Sequence, residues 1–309
     1  MLFYVFHFIF IAGWLGDMFL IYHMIMNLTN IKCLIYPLLY VLSLYFEKLP
    51  FFPKIRELYV DSYKKYFTYI KDPTDRKANK PNMCLMGPHG MFLTSCISFG
   101  IFGFDADEIK TFKLFVSRFL IYNPIVNIFS KIIMNGNGVL GLTHKNVTKH
   151  MKEGKYNLGV SVGGFEEINL YGDTNVIYDG RWDYWIFQSI KYGYDITFVY
   201  VLGGTQDFRS VLGYNFFNFR YQLAKMYIPF NVFYGKWLIF PFNDVPMKEI
   251  MLRMKIPHNP NISKKGAQKY CKKFRAKVYK LIKKSKAENG QLPFELLNDH
   301  FFKELNTDN

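Results

Sequence analysis

The sequence predicts an α/β fold: a largely parallel sheet with flanking helices. Short apolar runs with the length of buried strands occur at residues 83–86, 158–162, 196–202 and 237–240. Segments with helical periodicity lie between them, around residues 91–99, 143–153 and 184–192. Strands that alternate with helices in this way are typical of a parallel sheet covered by helices on its faces.

The composition describes a globular chain that also favours membrane surfaces. Of its 309 residues, 50% are hydrophobic and only 20% are charged, which argues against a disordered or fibrous protein. The 39 Lys and Arg residues against 24 Asp and Glu leave a net charge of +15, so the expected partners are anionic. High hydrophobicity combined with basic charge favours anionic membrane lipids among those partners.

The N-terminal region is expected to be a hydrophobic helical hairpin over residues 1–50, followed by a catalytic domain over residues 51–309. Residues 1–16 contain no charged side chain, the apolar run resumes after Asp17, and a second uncharged run covers residues 33–46. A membrane crossing needs about 20 apolar residues, so the first run is long enough to span and the second is short. No basic residue precedes the first run and no small-residue cleavage site follows it, which argues against a signal peptide.

Basic residues follow the second apolar run, at Lys48, Lys54, Arg56, Lys64 and Lys65. By the positive-inside rule they place this flank, and with it the catalytic domain and both termini, on the cytoplasmic side. A hairpin of this kind is either transmembrane or re-entrant. Asp17 is costly in lipid, so it is paired, near an interface or functional.

The four cysteines are far apart, with no Cys-x-x-Cys pair: Cys33, Cys84, Cys96 and Cys271. This spacing argues against zinc and against a disulfide framework. We expect buried or incidental thiols in a reducing compartment and no metal site.

One histidine stands where reactive groups of α/β proteins commonly lie. The turn Gly87-Pro88-His89-Gly90 joins an apolar strand to a helical pattern, and functional groups in open α/β sheets lie at the carboxyl ends of strands. Glycine permits the tight backbone that such a turn requires. A neutral imidazole at this position could accept a proton, although a lone histidine on a turn is more often structural.

A second strand ends in the segment Gly163-Gly164-Phe165-Glu166-Glu167. Acids after a glycine turn can orient an imidazole, bind a substrate hydroxyl or cap the next helix, and the residues alone leave these three roles open.

Together these segments resemble the type-2 diacylglycerol acyltransferase family, which includes monoacylglycerol acyltransferases and wax synthases. Pro88-His89-Gly90 is similar to the second half of the family's His-Pro-His-Gly motif, and residues 163–167 to its Gly-Gly-x-x-Glu motif, which selects Glu167 over Glu166. Residues 135–138, 192–195 and 289–293 resemble further family segments in the same order.

The chain also departs from the family pattern. Gly87 replaces the first histidine, Arg181-Trp182-Asp183-Tyr184 only approximates an Arg-Lys-Gly-Phe segment, and residues 203–206 lack the acids of a Gly-Glu-Asn-Glu stretch. Glycerolipid acyltransferases proper use His-x4-Asp, but position 94 is Thr, so the resemblance points to Glu167 as the acid.

The resemblance implies a glycerolipid-acyltransferase-like fold and transfer of a fatty acyl group from acyl-CoA to a neutral lipid alcohol. His89 and Glu167 are then the catalytic residues, and the substrate-binding residues are Pro88, Gly90, Gly163, Gly164 and Arg181. Acyl-CoA is a co-substrate and no cofactor is permanently bound. The implied location is the endoplasmic reticulum membrane or an equivalent internal membrane, and a homo-oligomer is compatible with the family.

Several alternatives stay open at this point. Diacylglycerol is the preferred acceptor, and monoacylglycerol or a wax alcohol is the alternative. A further hypothesis is that the protein is a catalytically inactive lipid-binding or scaffold protein. Nucleic acid is not expected, because the aromatic residues lie in apolar runs instead of alternating with basic residues. The coenzyme phosphates need cations, and the candidates are Lys145, Lys149, Arg181 and Lys191. These residues could equally form a basic face in contact with solvent.

A basic amphipathic helix is predicted from Ser263 onward. Its apolar positions recur at helical spacing between residues 264 and 286, and that span contains no acid. One face is expected to pack on the domain, and the basic face to lie against anionic lipid or in solvent.

Overall fold

A computed structural model describes residues 2–28, 34–45, 52–73, 80–89, 94–102, 111–124, 127–128, 130, 139–170, 175–213, 215–226, 228, 230–289 and 294–297. The chain divides into two compact units. Unit 1 comprises Met1–Phe67 and Phe104–His150, and unit 2 comprises Thr68–Gly103 and Met151–Asn309. The boundary expected near residue 50, between anchor and catalytic domain, stays a prediction.

The helices of the described residues, in chain order, are α1 (Leu2–Met26), α2 (Ile35–Tyr45), α3 (Phe52–Tyr66), α4 (Thr94–Phe102), α5 (Arg118–Tyr122), α6 (His144–Glu153), α7 (Gly164–Leu170), α8 (Trp182–Tyr192), α9 (Phe217–Lys225) and α10 (Lys264–Asn289). The strands are β1 (Tyr69–Ile70), β2 (Asn82–Gly87), β3 (Phe112–Val116), β4 (Val139–Gly141), β5 (Asn157–Ser161), β6 (Asn175–Tyr178), β7 (Asp195–Leu202), β8 (Arg209–Ser210), β9 (Phe233–Tyr234), β10 (Met247–Met254) and β11 (Phe294–Leu297).

Aromatic packing joins α1 to α3 in unit 1. The ring of Phe3 stacks on Tyr66 with centroids 4.0 Å apart, and Phe6 meets Tyr59 edge to face at 5.4 Å. Such pairs stabilise beyond the burial of their area. In the same unit β3 pairs in parallel with β4.

The two apolar runs at the N-terminus form α1 and α2, which contact each other, and each leaves large apolar side chains exposed. Phe8, Phe19 and Ile25 of α1 are exposed, as are Leu38 and Leu42 of α2. Within the described part of the chain, no helix has both the length and the apolar character that a membrane crossing requires. The hydrophobic hairpin anchor therefore stays a prediction.

The central sheet of unit 2 has the strand order β1-β10-β7-β2-β5. β2 lies between β7 and β5 and runs parallel to both, β1 runs parallel to β10, and β10 is antiparallel to β7. All six residues of β2 and all eight of β7 are buried, as expected of strands covered on both faces. The predicted α/β class with a largely parallel sheet and flanking helices is confirmed, and the apolar runs at 83–86, 158–162 and 196–202 are its central strands.

The strand predicted at residues 237–240 is wrong. This run forms only isolated bridges, from Gly235 to Leu238 and from Lys236 to Phe240. Trp237 and Leu238 have positive φ angles of 50° and 73°, which an extended strand does not allow, and they are 69% and 74% exposed. The apolar character of this run therefore does not arise from burial in the sheet.

The helical predictions are confirmed where the structure describes them. α4, α6 and α8 correspond to the patterns around 91–99, 143–153 and 184–192, although residues 91–93 lie outside the described residues. Phe99 and Ile101 of α4 are buried in unit 2.

α10 is the predicted basic amphipathic helix. The Ser263 hydroxyl accepts the backbone N–H of Gly266 at 3.0 Å, which caps its N-terminus as the sequence indicated. One face is buried, through Ala267, Cys271, Phe274, Val278 and Ile282, and it packs on α8 and β10. The lysines of the helix that the structure describes in full are exposed, so the sequence pattern correctly separated the two faces.

Candidate functional site

The two motifs meet at one edge of the sheet because their strands are parallel neighbours. β2 ends at Gly87, which is followed by Pro88 and His89, and β5 ends at Ser161, just before α7. Parallel strands place their carboxyl ends at the same edge, where the ligands of open α/β sheets bind. Pro88 is buried and His89 is half-buried, and the Gly87–Pro88 peptide is cis.

The carboxylate of Glu167 connects the two motifs. It accepts the backbone N–H of His89 at 2.6 Å and the backbone N–H of Tyr178 at 3.0 Å, and Glu167 is only 3% exposed. Glu167 therefore holds the main chain of His89. A buried carboxylate with two N–H donors also fixes the start of α7 against the turn after β2.

Burial raises the pKa of Glu167 from about 4.5 to about 7. The two backbone hydrogen bonds from His89 and Tyr178 lower it, the charge of Glu166 raises it and the charge of Arg181 lowers it, but loss of hydration is the largest influence. Glu167 thus changes its charge near neutral pH, which is common for groups at functional sites.

Two neutral groups lie in the field of Glu167. Burial raises the pKa of the Cys96 thiol to about 12, the neighbouring Ser161 hydroxyl lowers it, and the charge of Glu167 raises it further. Burial and the same charge raise the pKa of the Tyr200 hydroxyl above its ordinary value. Both groups therefore stay protonated at neutral pH.

The adjacent acid, Glu166, has a different partner. Nη2 of Arg181 donates to both carboxylate oxygens of Glu166, at 2.6 and 2.8 Å. The Glu166 side chain is 4% exposed and that of Arg181 is 37% exposed, so the guanidinium extends from a buried ion pair towards solvent. Two neighbouring residues on a helix cannot point the same way, and here only Glu167 faces His89.

The Gly-Gly pair makes room for these two charged side chains. A Cβ atom at position 163 would overlap the carboxyl group of Glu167. Gly164 has a φ of 52°, in the left-handed region, and a Cβ there would lie 2.5 Å from Nη1 of Arg181. The glycines are thus explained by close approach of Glu167 and Arg181.

A buried ion-pair network fixes the segment between Tyr178 and Arg181. Asp179 is 1% exposed, and its Oδ2 accepts Nε–H of Arg275 at 2.7 Å and the hydroxyl of Tyr279 at 2.6 Å. Arg275 also pairs with the exposed Asp183 at 2.6 Å. Because Arg275 and Tyr279 belong to α10, this helix anchors the segment that carries Tyr178 and Arg181. These are the hydrogen-bond partner of Glu167 and the ion-pair partner of Glu166.

The remaining candidates are placed as follows. Lys191 lies at the C-terminal end of α8, about 15 Å along the helix from Arg181 at its N-terminus, so the structure does not bring these cations together. Lys145 and Lys149 belong to unit 1, as part of α6. Gly90 and residues 135–138 and 290–293 lie outside the described residues.

The 192–195 segment has a structural explanation. Gly193 ends α8 with a φ of 76°, and the side chain of Asp195 accepts the backbone N–H of Ile256 at 3.2 Å and pairs with Arg253 at 3.4 Å.

Sequence reasoning missed Tyr178, Cys96, Ser161 and Tyr200. Their proximity to Glu167 depends on tertiary packing, including the strand register that pairs Gly87 with Tyr200, and the sequence carries no local signal for it.

Among the described residues, no cluster of three or more His, Cys, Asp or Glu side chains could hold a metal ion. Comparison of the chain with family models, with curated proteins and with solved structures yields no match.

Proposed function

We propose that this protein is a membrane-bound O-acyltransferase that moves a fatty acyl group from acyl-CoA to a neutral lipid alcohol, with diacylglycerol as the first candidate acceptor. One observation carries the proposal: the Glu167 carboxylate accepts the His89 backbone N–H at 2.6 Å. This bond joins the two motifs that resemble the type-2 diacylglycerol acyltransferase family, across 78 residues of sequence and at the sheet edge where such folds bind substrates.

The chemistry needs a base. An alcohol has a pKa near that of water, about 16, and is a poor nucleophile, so a neutral His89 imidazole takes its proton during attack on the thioester carbonyl. A C–O bond forms, the C–S bond breaks, and the imidazolium returns the proton to the leaving thiolate. The products are an ester and free coenzyme A. Glu167 positions His89 through its main chain in this mechanism.

The charges around the site favour a neutral acceptor. No Lys or Arg occurs between Met83 and Asp107, and the cation that the structure places near Glu167 is Arg181, already paired with Glu166. A phosphorylated acceptor would bury a dianion without a dedicated partner, which is costly. The exposed part of Arg181 is better suited to a phosphate of the coenzyme at the protein surface.

Apolar and basic surfaces support membrane attachment. α1 and α2 expose large apolar side chains, and α10 presents lysines on the face that does not pack on the protein. Anionic headgroups attract basic faces of this kind. These surfaces fit an enzyme whose acceptor is dissolved in the bilayer of the endoplasmic reticulum or an equivalent membrane.

The test is product formation from radiolabelled acyl-CoA by the full chain in vesicles. The acceptors are diacylglycerol, monoacylglycerol, a long-chain alcohol and glycerol 3-phosphate, with products separated by thin-layer chromatography. We expect label mainly in triacylglycerol. Label mainly in lysophosphatidic acid would contradict the neutral acceptor, and no ester from any acceptor would favour a non-catalytic lipid-binding protein.

His89→Ala should lower turnover at least ~10²-fold, the usual contribution of general acid–base catalysis. His144→Ala is the matched control, because His144 is an exposed histidine on α6, outside unit 2. Near-normal turnover of correctly folded His89→Ala protein would remove the mechanism.

A further inference from the structure

A second apolar surface lies in unit 2, on the segment from Phe208 to Asn243, which we call the 208–243 segment. It contains no Asp or Glu, and its basic residues are Arg209, Arg220, Lys225 and Lys236. Arg220 is buried, and Arg209 pairs with Asp244, which directly follows the segment, so the unburied lysines are Lys225 and Lys236. Large apolar side chains are exposed along it, among them Val211, Phe216, Phe219, Met226, Val232, Trp237 and Leu238. Contiguous exposed apolar patches on a folded protein mark sites of interaction with lipid or protein.

The tip of this surface is held in an unfavourable backbone conformation. Trp237 and Leu238 have positive φ angles of 50° and 73°, which cost a non-glycine residue on the order of 1 kcal/mol each. The bridges of Gly235 to Leu238 and of Lys236 to Phe240 close the turn. The result is that an indole ring and an isobutyl group, each about 70% exposed, project from the protein and contribute little burial to folding.

Cations accompany the aromatic rings of the segment. Nζ of Lys236 lies 5.5 Å from the ring centre of the exposed Trp237, and Nζ of the exposed Lys225 lies 4.3 Å from that of Tyr221, whose ring is buried. Exposed tryptophan concentrates at the membrane–water interface, and lysine beside it is attracted to anionic headgroups. The combination of exposed Leu, Phe and Trp side chains with neighbouring Lys therefore matches the interface of an anionic bilayer.

Hydrogen bonds connect the 208–243 segment to α7, the helix that carries Glu167. The amide of Asn169, in α7, is fully buried; it donates to the carbonyls of Arg220 and Ile228 at 3.0 and 2.9 Å and accepts the N–H of Phe230 at 2.9 Å. α7 thus carries both Glu167 and, two residues later, the amide that holds the apolar segment. A lipid contact at this segment would bring the candidate site close to the bilayer.

We infer that the 208–243 segment is a second membrane-contacting surface, with Trp237 and Leu238 inserted at the interface of an anionic bilayer. It adds to the attachment expected of the N-terminal helices. The inference deepens the membrane attachment of the proposed function, but it does not depend on acyl transfer.

An environment-sensitive fluorophore tests the inference in the full chain. Cys84, Cys96 and Cys271 are buried, so in a Cys33→Ser background a nitrobenzoxadiazole label can be attached at Leu238→Cys, with Tyr184→Cys as the control. Tyr184 is an exposed aromatic of unit 2, 38% accessible, outside the segment. Each labelled chain is measured in phosphatidylcholine vesicles with and without phosphatidylserine.

We expect the label at position 238 to shift its emission to shorter wavelength and to be quenched by spin-labelled lipid, more strongly with phosphatidylserine, while the label at 184 does not. A label at 238 that stays quenchable by aqueous iodide in both vesicles would overturn the inference. A shift without vesicles that grows with protein concentration would do the same, because it indicates a second copy of the chain. An equal shift in both vesicle types would overturn the requirement for anionic lipid. Since no acyl-CoA is present, failure here is distinct from failure of the enzymatic proposal.

Discussion

The side chain of Glu167 folds back over Gly163, so that its carboxyl group occupies the space that a side chain at position 163 would need. From there the carboxylate reaches the backbone N–H of His89 at 2.6 Å. The observed position of the Glu167 carboxyl group therefore depends on the glycine turn. Glycine at 163 is required because the acid four residues later is turned towards the neighbouring strand.

Gly163→Ala should destabilise the protein or prevent its folding, because the new methyl group displaces a buried carboxylate. Overpacking of this kind costs about 1–3 kcal/mol, and loss of the hydrogen bonds of Glu167 adds to it. Gly87→Ala is the matched control: a Cβ there meets only Cδ2 of Tyr200, at 3.9 Å, an ordinary contact. Thermal unfolding of both variants in detergent checks this, and equal losses of Tm would contradict it.

Glu167→Gln should impair both turnover and stability more than Glu166→Gln. The amide places an NH2 group against one of two backbone N–H donors, from His89 or Tyr178, which leaves buried donors unsatisfied at a cost of about 1–3 kcal/mol. Glu166→Gln weakens a pair with the partly exposed Arg181 but keeps an acceptor. Rates and Tm values of the two variants are compared. A larger loss at Glu166 would show that the assignment of the acid is wrong by one residue.

The stability contributed by Glu167 should depend on pH. Its pKa is about 7 in the folded protein against an ordinary value of about 4.5, so between these values the folded state binds more protons than the unfolded state. This contribution is fully present below pH of about 4.5 and is lost as the pH rises through about 7.

The Tm of the wild-type protein should therefore fall relative to that of Glu167→Gln over this pH range. Glu166→Gln keeps Glu167 and should retain this fall in Tm, displaced to lower pH, because the charge of Glu166 raises the pKa of Glu167. A constant difference between wild type and Glu167→Gln would contradict the raised pKa.

Asp179→Asn should destabilise by on the order of 2 kcal/mol, because Asp179 is buried and accepts charge-assisted or short hydrogen bonds from Arg275 and Tyr279. Asp183→Asn is the control: this carboxylate also pairs with Arg275, at 2.6 Å, but its side chain is 53% exposed, so its loss should cost less than about 1 kcal/mol. Denaturant or thermal unfolding measures both. If the two variants lost equal stability, the buried network would not be what anchors α10.

The main helices and strands of unit 2 could be predicted from the sequence, because the residue pattern that specifies each of them is local. β2, β5 and β7 are continuous apolar runs, and α10 has both a capping serine and an apolar stripe. The same criterion gave a wrong prediction at Trp237 and Leu238, because their apolar run has the composition of a strand. In the structure the backbone of both residues adopts positive φ angles, and both side chains are exposed. Hydrophobicity alone does not distinguish burial in a core from an apolar surface.

The sequence by itself determined that His89 and an acid follow two strands whose carboxyl ends face one edge, because parallel pairing makes that edge common to both. The family resemblance already pointed to Glu167 as the acid. Only the tertiary structure showed that its contact is with the backbone N–H of His89, and that Arg181 pairs with Glu166. These outcomes depend on strand register, on the rotation of α7 and on the space left by Gly163. Each is a relationship between residues far apart in sequence, and local periodicity carries no information about it.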